Sequence, residues 1–184
     1  AMPNNGTIAR DHFDGKIEFQ NVHFAYDEKQ LVLKGIDFKV NSGETVAIVG
    51  ATGAGKSTII SLITRLYDIN SGKIMLDDVD IRDYELYNLR SHIGVVLQDV
   101  FLFHGSIFEN LTLGDESITL EQIKKAAKDI GVDEFIESLP NGYDYVVSER
   151  GSSISLGQRQ LLSFLRAYLS DPKILILDEA TSSI

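Results

Sequence analysis

Apolar and polar residues alternate from Lys16 onward. In KIEFQNVHF the apolar positions Ile17, Phe19, Val22 and Phe24 stand among polar ones, and after a polar turn LVLKGIDFKV follows. The two stretches predict strands of a hairpin-like β layer. ETVAIVG, residues 44–50, is continuously apolar at its centre, the pattern of a strand buried on both faces of a parallel sheet. A glycine-rich loop follows it. KSTIISLITRLY then places Ile59, Ile60, Leu62, Ile63 and Leu66 on one helical face.

Further on, SGKIMLDDVDI reads as another short β excursion, and IGVVLQD, residues 93–99, as another buried strand. Between about Thr119 and Leu139 the period becomes helical, with Thr119 and Glu121-Gln122 as a capping-type start and Gly131 as a break. GQRQLLSFLRAYLSDP predicts a second amphipathic helix stopped by Pro172, and KILILDEA, residues 173–180, a third buried strand. No internal repeat or low-complexity tract interrupts the series. The opening AMPNNGTIARDH lacks the basic-then-apolar order of a secretory signal, and Ala1 ahead of Met2 suggests a cloning remnant. Residues 1–15 are therefore expected to be a linker or remnant outside the fold, and residues 16–184 a single domain.

Composition narrows the function classes. With 184 residues, 43% of them hydrophobic, the chain is long enough to bury one substantial core. Its 17 basic and 27 acidic side chains give a net charge of -10 with no long Lys/Arg cluster, which argues against a nucleic-acid partner. The absence of cysteine excludes a disulfide framework and thiolate metal sites. No apolar stretch approaches the roughly 18 residues of a membrane span.

The glycine-rich loop carries the first candidate chemistry. GATGAGKST, comprising Gly50, Ala51, Thr52, Gly53, Ala54, Gly55, Lys56, Ser57 and Thr58, fits Gly-x-x-x-x-Gly-Lys-Ser/Thr between a strand-like and a helix-like segment. Glycines at this spacing let successive backbone N–H groups turn inward around β- and γ-phosphates, where a side chain would block the approach. Lys56 adds a point charge, Ser57 a hydroxyl ligand for Mg2+, and the helix start its partial positive charge. Downstream, Asp178 and Glu179 end an apolar strand. Alone, such acids are equally a solvated strand end. With the phosphate loop, an open parallel sheet would bring both strand ends to one crevice, Asp178 to Mg2+ and Glu179 to the water that attacks the γ-phosphate.

The ordered set of Tyr26 in FAY, the phosphate loop, Gln98 in VVLQD, SERG at Ser148 to Gly151, ISLGQRQ and ILILDEATSS resembles the nucleotide-binding domain of ABC transporters from about Lys16 to the end of the chain. SERG, FLFHGSIFENL and LYNLRSHIGVVLQD look most like the exporter branch, with multidrug-type half-transporters nearest. The resemblance implies a P-loop NTPase (RecA-like) α/β core, an antiparallel β subdomain, and an α-helical subdomain over about 101–170 that carries the signature motif. It implies ATP and Mg2+ as ligands and a head-to-tail dimer with a second, identical or different, nucleotide-binding domain. The other implied partners are transmembrane domains reached through their coupling helices, at the cytoplasmic face of the cell membrane.

By the same resemblance Tyr26 stacks on adenine and Gln98 reaches Mg2+ or the attacking water. Ser155, Gly157 and Gln158 address the partner's nucleotide, and Glu149 touches the coupling helices. Leu156 replaces the first glycine of the family signature Leu-Ser-Gly-Gly-Gln, so the backbone there is expected not to need a positive φ. Relatives continue past TSSI with an aspartate, further strands and a histidine, so a C-terminally truncated domain is expected. His12, His23, His92 and His104 are expected to be surface or locally bonded histidines. The alternative readings are a nucleotide-binding module without turnover and a soluble ABC-type ATPase acting on DNA or ribosomes.

Overall fold

A computed structural model describes residues 5–27, 30–51, 53–147 and 154–178. The chain divides into two compact units, Ala1–Ile93 and Gly94–Ile184.

The first unit is built on an antiparallel sheet. Strands β1 (Ile17–Phe24), β2 (Leu33–Val40), β3 (Ser71–Leu76) and β4 (Val79–Asp80) lie in the order β2-β1-β3-β4. The alternation read from the sequence fixes the register: Phe19 sits opposite Phe38 on β2 and Ile74 on β3, and the Phe19 and Phe38 rings stack at 4.4 Å. The register slips between Phe19 and Val22, where Asn21 has φ 46°. Gly72 on β3 passes so close to this irregularity that a Cβ would lie 2.4 Å from the Asn21 carbonyl oxygen, and its φ of 92° excludes other residues as well.

Helix α1 (Lys56–Ile63) packs Ile59, Leu62 and Ile63 into this unit as predicted. Leu66, expected on the same face, is exposed, because the helix has ended and Arg65 turns the chain at φ 48°. The buried Arg65 guanidinium donates to the carbonyls of Ile81 (3.3 Å) and Tyr84 (3.4 Å). Arg90, from α2 (Leu86–Ser91), donates to the carbonyls of Thr64 (2.9 Å) and Arg65 (2.8 Å). Two guanidinium groups thus fix the C-terminal end of α1, the end that favours cations.

Two further expectations fail in this unit. Residues 5–15, expected outside the fold, are packed into it. Phe13 is 1% exposed, between Tyr84 and His92 at 5.3 and 4.2 Å between ring centroids. The strap's backbone is also tied down. Ile8 forms a parallel bridge with Tyr84, and Asn88 exchanges bonds with Arg10, accepting its N–H at 2.9 Å and donating to its carbonyl at 3.0 Å. The polar composition that suggested a linker missed one aromatic anchor and the backbone pairing around it.

The second correction concerns residues 44–50. They join no ladder, and Val49 is 88% exposed. Burial on both faces needs neighbours on both sides, and no described strand of this unit pairs with the segment.

In the second unit, β5 (Ile93–Val96) pairs with β8 (Ile174–Leu177), and β6 (Gly105–Ser106) with β7 (Val146–Val147). The N–H of Asp178 donates to the Val96 carbonyl at 2.9 Å, so β5 and β8 end side by side and run parallel. The predicted burial of these strands is incomplete: Leu175 and Leu177 are exposed, again for want of a covering layer among the described residues.

The helical part of the unit agrees with the sequence pattern. Helices α3 (Ile107–Thr112), α4 (Leu120–Asp129), α5 (Asp133–Glu137) and α6 (Leu156–Leu169) enclose a core that includes Leu102, Ile107, Ile123, Ile136, Leu162 and Leu165. Thr119 and Gln122 form the capping box, Gly131 at φ 77° separates α4 from α5, and α6 ends two residues before Asp171-Pro172. The buried Asn110 side chain clasps Phe103, accepting its N–H at 2.8 Å and donating to its carbonyl at 2.9 Å.

If the strap belongs to the fold, Phe13→Ala will lower the unfolding free energy by about 3 kcal/mol in urea titration, the range for a buried phenylalanine. A linker residue would give no change.

Candidate nucleotide site

The loop from Gly50 to Thr58 closes on itself before it opens α1. The Ala54 N–H donates to the Ala51 carbonyl at 3.1 Å, a tight turn. Gly53 and Gly55 have φ of 81° and 93°. At Gly55 two constraints coincide, because an added Cβ would also lie 2.7 Å from Leu33 Cδ2. Lys56 reaches back over the loop, its Nζ donating to the carbonyls of Gly50 (2.8 Å) and Ala51 (3.1 Å). Thr52 lies outside the described residues.

Among the described α-helices α1 and α5 lack a side-chain cap, and α5 has Asp133 and Glu134 in its first turn instead. Side-chain oxygens of Glu85, Ser106, Thr119 and Ser155 cap α2, α3, α4 and α6. Gly55 offers α1 no side-chain cap, and no carboxylate stands in its first turn. Helix-start amides need acceptors, and an anion supplies them where the chain does not. Left-handed glycines, an uncapped helix start and a lysine folded onto the loop make a cradle that fits a polyphosphate.

Tyr26 is brought to the same place. Its hydroxyl lies 3.0 Å from Thr58 Oγ1, at the third residue of α1. Its ring meets Phe24 and Tyr67 edge to face, at centroid distances of 4.8 and 5.0 Å, and stays 53% exposed. Neither the Thr58 contact nor Tyr67 was found from the sequence. An isolated tyrosine after a helix reads as ordinary surface, and only the fold brings it to Tyr26.

The remaining candidates lie in the second unit. Gln98 follows β5 and is exposed, and Asp178 follows β8 directly. Because the two strands are parallel and end together, both residues sit at one edge of the β5-β8 pair. Glu179 and Glu149 lie outside the described residues. Among the described residues no three His, Cys, Asp or Glu side chains form a metal cluster. Ser57 lies in the first turn of α1 and Asp178 follows β8 in the other unit; a hydroxyl and a carboxylate are each hard oxygens of the kind Mg2+ takes beside phosphate oxygens.

Ser155 and Gln158 prove to be partners of each other. The Ser155 hydroxyl caps α6 by accepting the Gln158 N–H at 3.2 Å, and the Gln158 side-chain oxygen accepts the Ser155 N–H at 3.0 Å. The hydroxyl keeps its own hydrogen to donate outward. Leu156 opens the helix and is not among the positive-φ residues, so the leucine there is unstrained, as expected. Gly157 occupies the second helical position. Further along α6, burial pushes the Arg166 guanidinium down from its ordinary pKa, and its Nε and Nη2 have no partner among the described residues.

The histidines are local. His12 lies 3.3 Å from Asp14, His23 contacts the Asn21 carbonyl, and His92 contacts that of Asn88.

The family model described as ABC transporter matches residues 33–182. A putative ABC transporter ATP-binding protein of Streptococcus pneumoniae, exp8, is 54% identical over 93% of this chain and 29% of its own length. The putative multidrug export ATP-binding/permease protein YgaD of Bacillus subtilis is 51% identical over 96% of this chain and 31% of its own. The chain thus spans about three tenths of these curated relatives. A solved bacterial Atm1-family ABC exporter with ATP bound is 38% identical, with a TM-score of 0.90 over 100% of this chain and 32% of that one. At this level of identity the likeness supports the P-loop NTPase fold.

Ser155→Ala removes the α6 cap, a loss of about 1 kcal/mol. Hydrogen exchange of the first α6 amides will be about fivefold less protected, while amides of the β1-β3 sheet stay unchanged.

Proposed function

The chain belongs to the ABC transporter family, and from that membership we propose that it is the ATP-binding and ATP-hydrolysing motor domain of a membrane exporter. The observation that carries this reading is the loop from Gly50 to Thr58, whose glycine conformations, uncapped helix start and folded-back lysine suit a nucleoside triphosphate. Tyr26 offers its exposed ring to the base, and the loop amides with Lys56 take the β- and γ-phosphates. Ser57 and Asp178 are the oxygen ligands for Mg2+. That ion, when bound, neutralises charge developing on the phosphate oxygens. Gln98 reaches Mg2+ or the attacking water, and Glu179 accepts that water's proton as the γ-phosphate leaves.

Ser155, the Gly157 amide and the start of α6 then address the triphosphate of a second such domain in a head-to-tail dimer with composite sites. The capping box supports this, since it orients the Ser155 hydroxyl at the helix start with a hydrogen left to give. Glu149 reaches the coupling helices of transmembrane domains, which places the assembly at the cytoplasmic face of a membrane. Among the described residues no helix is long and apolar enough to cross a membrane. The net charge of -10 disfavours the alternative of an ATPase working on nucleic acid.

Mg-ATP at a hundredfold excess over its Kd adds about 2.7 kcal/mol to the folded state, so the thermal midpoint will rise by roughly 5 to 10 °C. In Lys56→Ala the rise disappears. Glu179→Gln will retain ATP affinity but release inorganic phosphate at least about a hundredfold more slowly, the effect of losing a general base. Equal phosphate release from both proteins would remove Glu179 from the mechanism.

A further inference from the structure

The contact between Tyr26 and Thr58 has a consequence for nucleotide selection. Tyr26 leaves half of its surface in solvent, yet its ring is held at three points. Phe24 meets it at an interplanar angle of 85°, Tyr67 at 87°, and the hydroxyl contacts Thr58 Oγ1 at 3.0 Å. The rings fix its tilt. The hydroxyl contact ties the ring to a helix whose first turn ends the phosphate loop. Thr58 is itself 5% exposed and packed in α1, so its oxygen is a fixed point. A threonine in a helix commonly turns its hydroxyl back to a carbonyl of the preceding turn; here the oxygen lies within hydrogen-bond distance of the phenol.

We propose that Thr58 is a positioning residue for the nucleobase. Its side chain holds the Tyr26 ring at a set distance from the phosphate cradle, so that base and triphosphate are bound as one ligand. Tyr67 is the second support, bracing the ring from its edge. An unsupported ring would pay an ordering cost each time it stacked; a ring already held has paid it in the fold. This rests on the nucleotide reading above and goes beyond it. It gives a residue of the phosphate loop a role in recognising the opposite end of the ligand, through its side chain and not through its amide.

The test separates base from phosphate by using two ligands on the full chain, Mg-ATP and Mg-tripolyphosphate, which lacks base and ribose. Calorimetric affinities are measured for the wild type, Thr58→Val, Thr58→Ser, Tyr26→Phe and the Tyr26→Phe/Thr58→Val double variant. The expected result is a loss of ATP affinity of about three- to tenfold in Thr58→Val and Tyr26→Phe, the size of one hydrogen bond. The double variant loses no more than either single one, each variant loses more affinity for ATP than for tripolyphosphate, and Thr58→Ser restores ATP affinity.

If Thr58→Val weakens both ligands equally, the hydroxyl serves the loop's own structure and the proposal is wrong. It is also wrong if Tyr26→Phe binds ATP like the wild type. A wild type that binds neither ligand would overturn the nucleotide reading itself. A wild type that binds both with equal affinity keeps the phosphate cradle and removes the base platform, and Thr58's role with it. Thermal midpoints of the unliganded variants show that each is folded at the titration temperature.

Discussion

Backbone N–H groups at the start of a helix must find acceptors, and this obligation organises both units of the chain. At α3, α4 and α6 the sequence meets it locally with capping boxes, Ser106 with Glu109, Thr119 with Gln122 and Ser155 with Gln158. At α1 it does not. Gly55 turns left-handed and brings no oxygen of its own, and the neighbouring Lys56 adds positive charge where a helix start is already positive. The arrangement is electrostatically incomplete by itself. Phosphate oxygens would complete it, so the phosphate reading rests on the backbone together with the Lys56 charge.

The far end of α1 shows the opposite solution. Arg65 is buried, and its charge is shared between the Asp68 carboxylate and carbonyls of residues 81–84, while Arg90 donates to the Thr64 and Arg65 carbonyls just past the helix. Desolvating a guanidinium is tolerable only where several acceptors share it, and helix ends supply them at no cost to other hydrogen bonds. The helix that presents the phosphate loop is therefore clamped at the end away from the loop and left without a side-chain cap at the loop end.

Much of this was legible in the sequence, and the failures have physical causes. The helical stretch from Thr119 to Leu139 was read with its cap and its break because periodicity, capping residues and glycine are local signals. So was the β1-β2 hairpin, with one face of Phe19, Phe24 and Leu33 buried. The phosphate loop was found because its glycine spacing reflects a backbone requirement. Residues 44–50 misled, because an apolar run states a need for burial and not what meets it. The strap over residues 5–15 was invisible for the converse reason: its backbone pairs with Tyr84 and Glu85, some eighty residues on, and a single phenylalanine is not a period. Tyr67 belongs to the same class of non-local contact. The capping partnership of Ser155 and Gln158 stands at a spacing of three, a local signal that the reading of these residues as nucleotide contacts did not use.

The direction of the strap has a mechanical meaning. It runs parallel to the segment at Tyr84, and its bonds to Asp83, Glu85 and Asn88 are laid across the line of the chain. Tension applied along residues 5–10 would load these bonds in shear, all together, whereas a hairpin of the opposite sense would open one rung at a time. The attachment is therefore stiff to pulling along its length and weak to peeling from its edge. It would hand a tug to α2 and, through Arg90, to the clamped end of α1, with little slack lost between them.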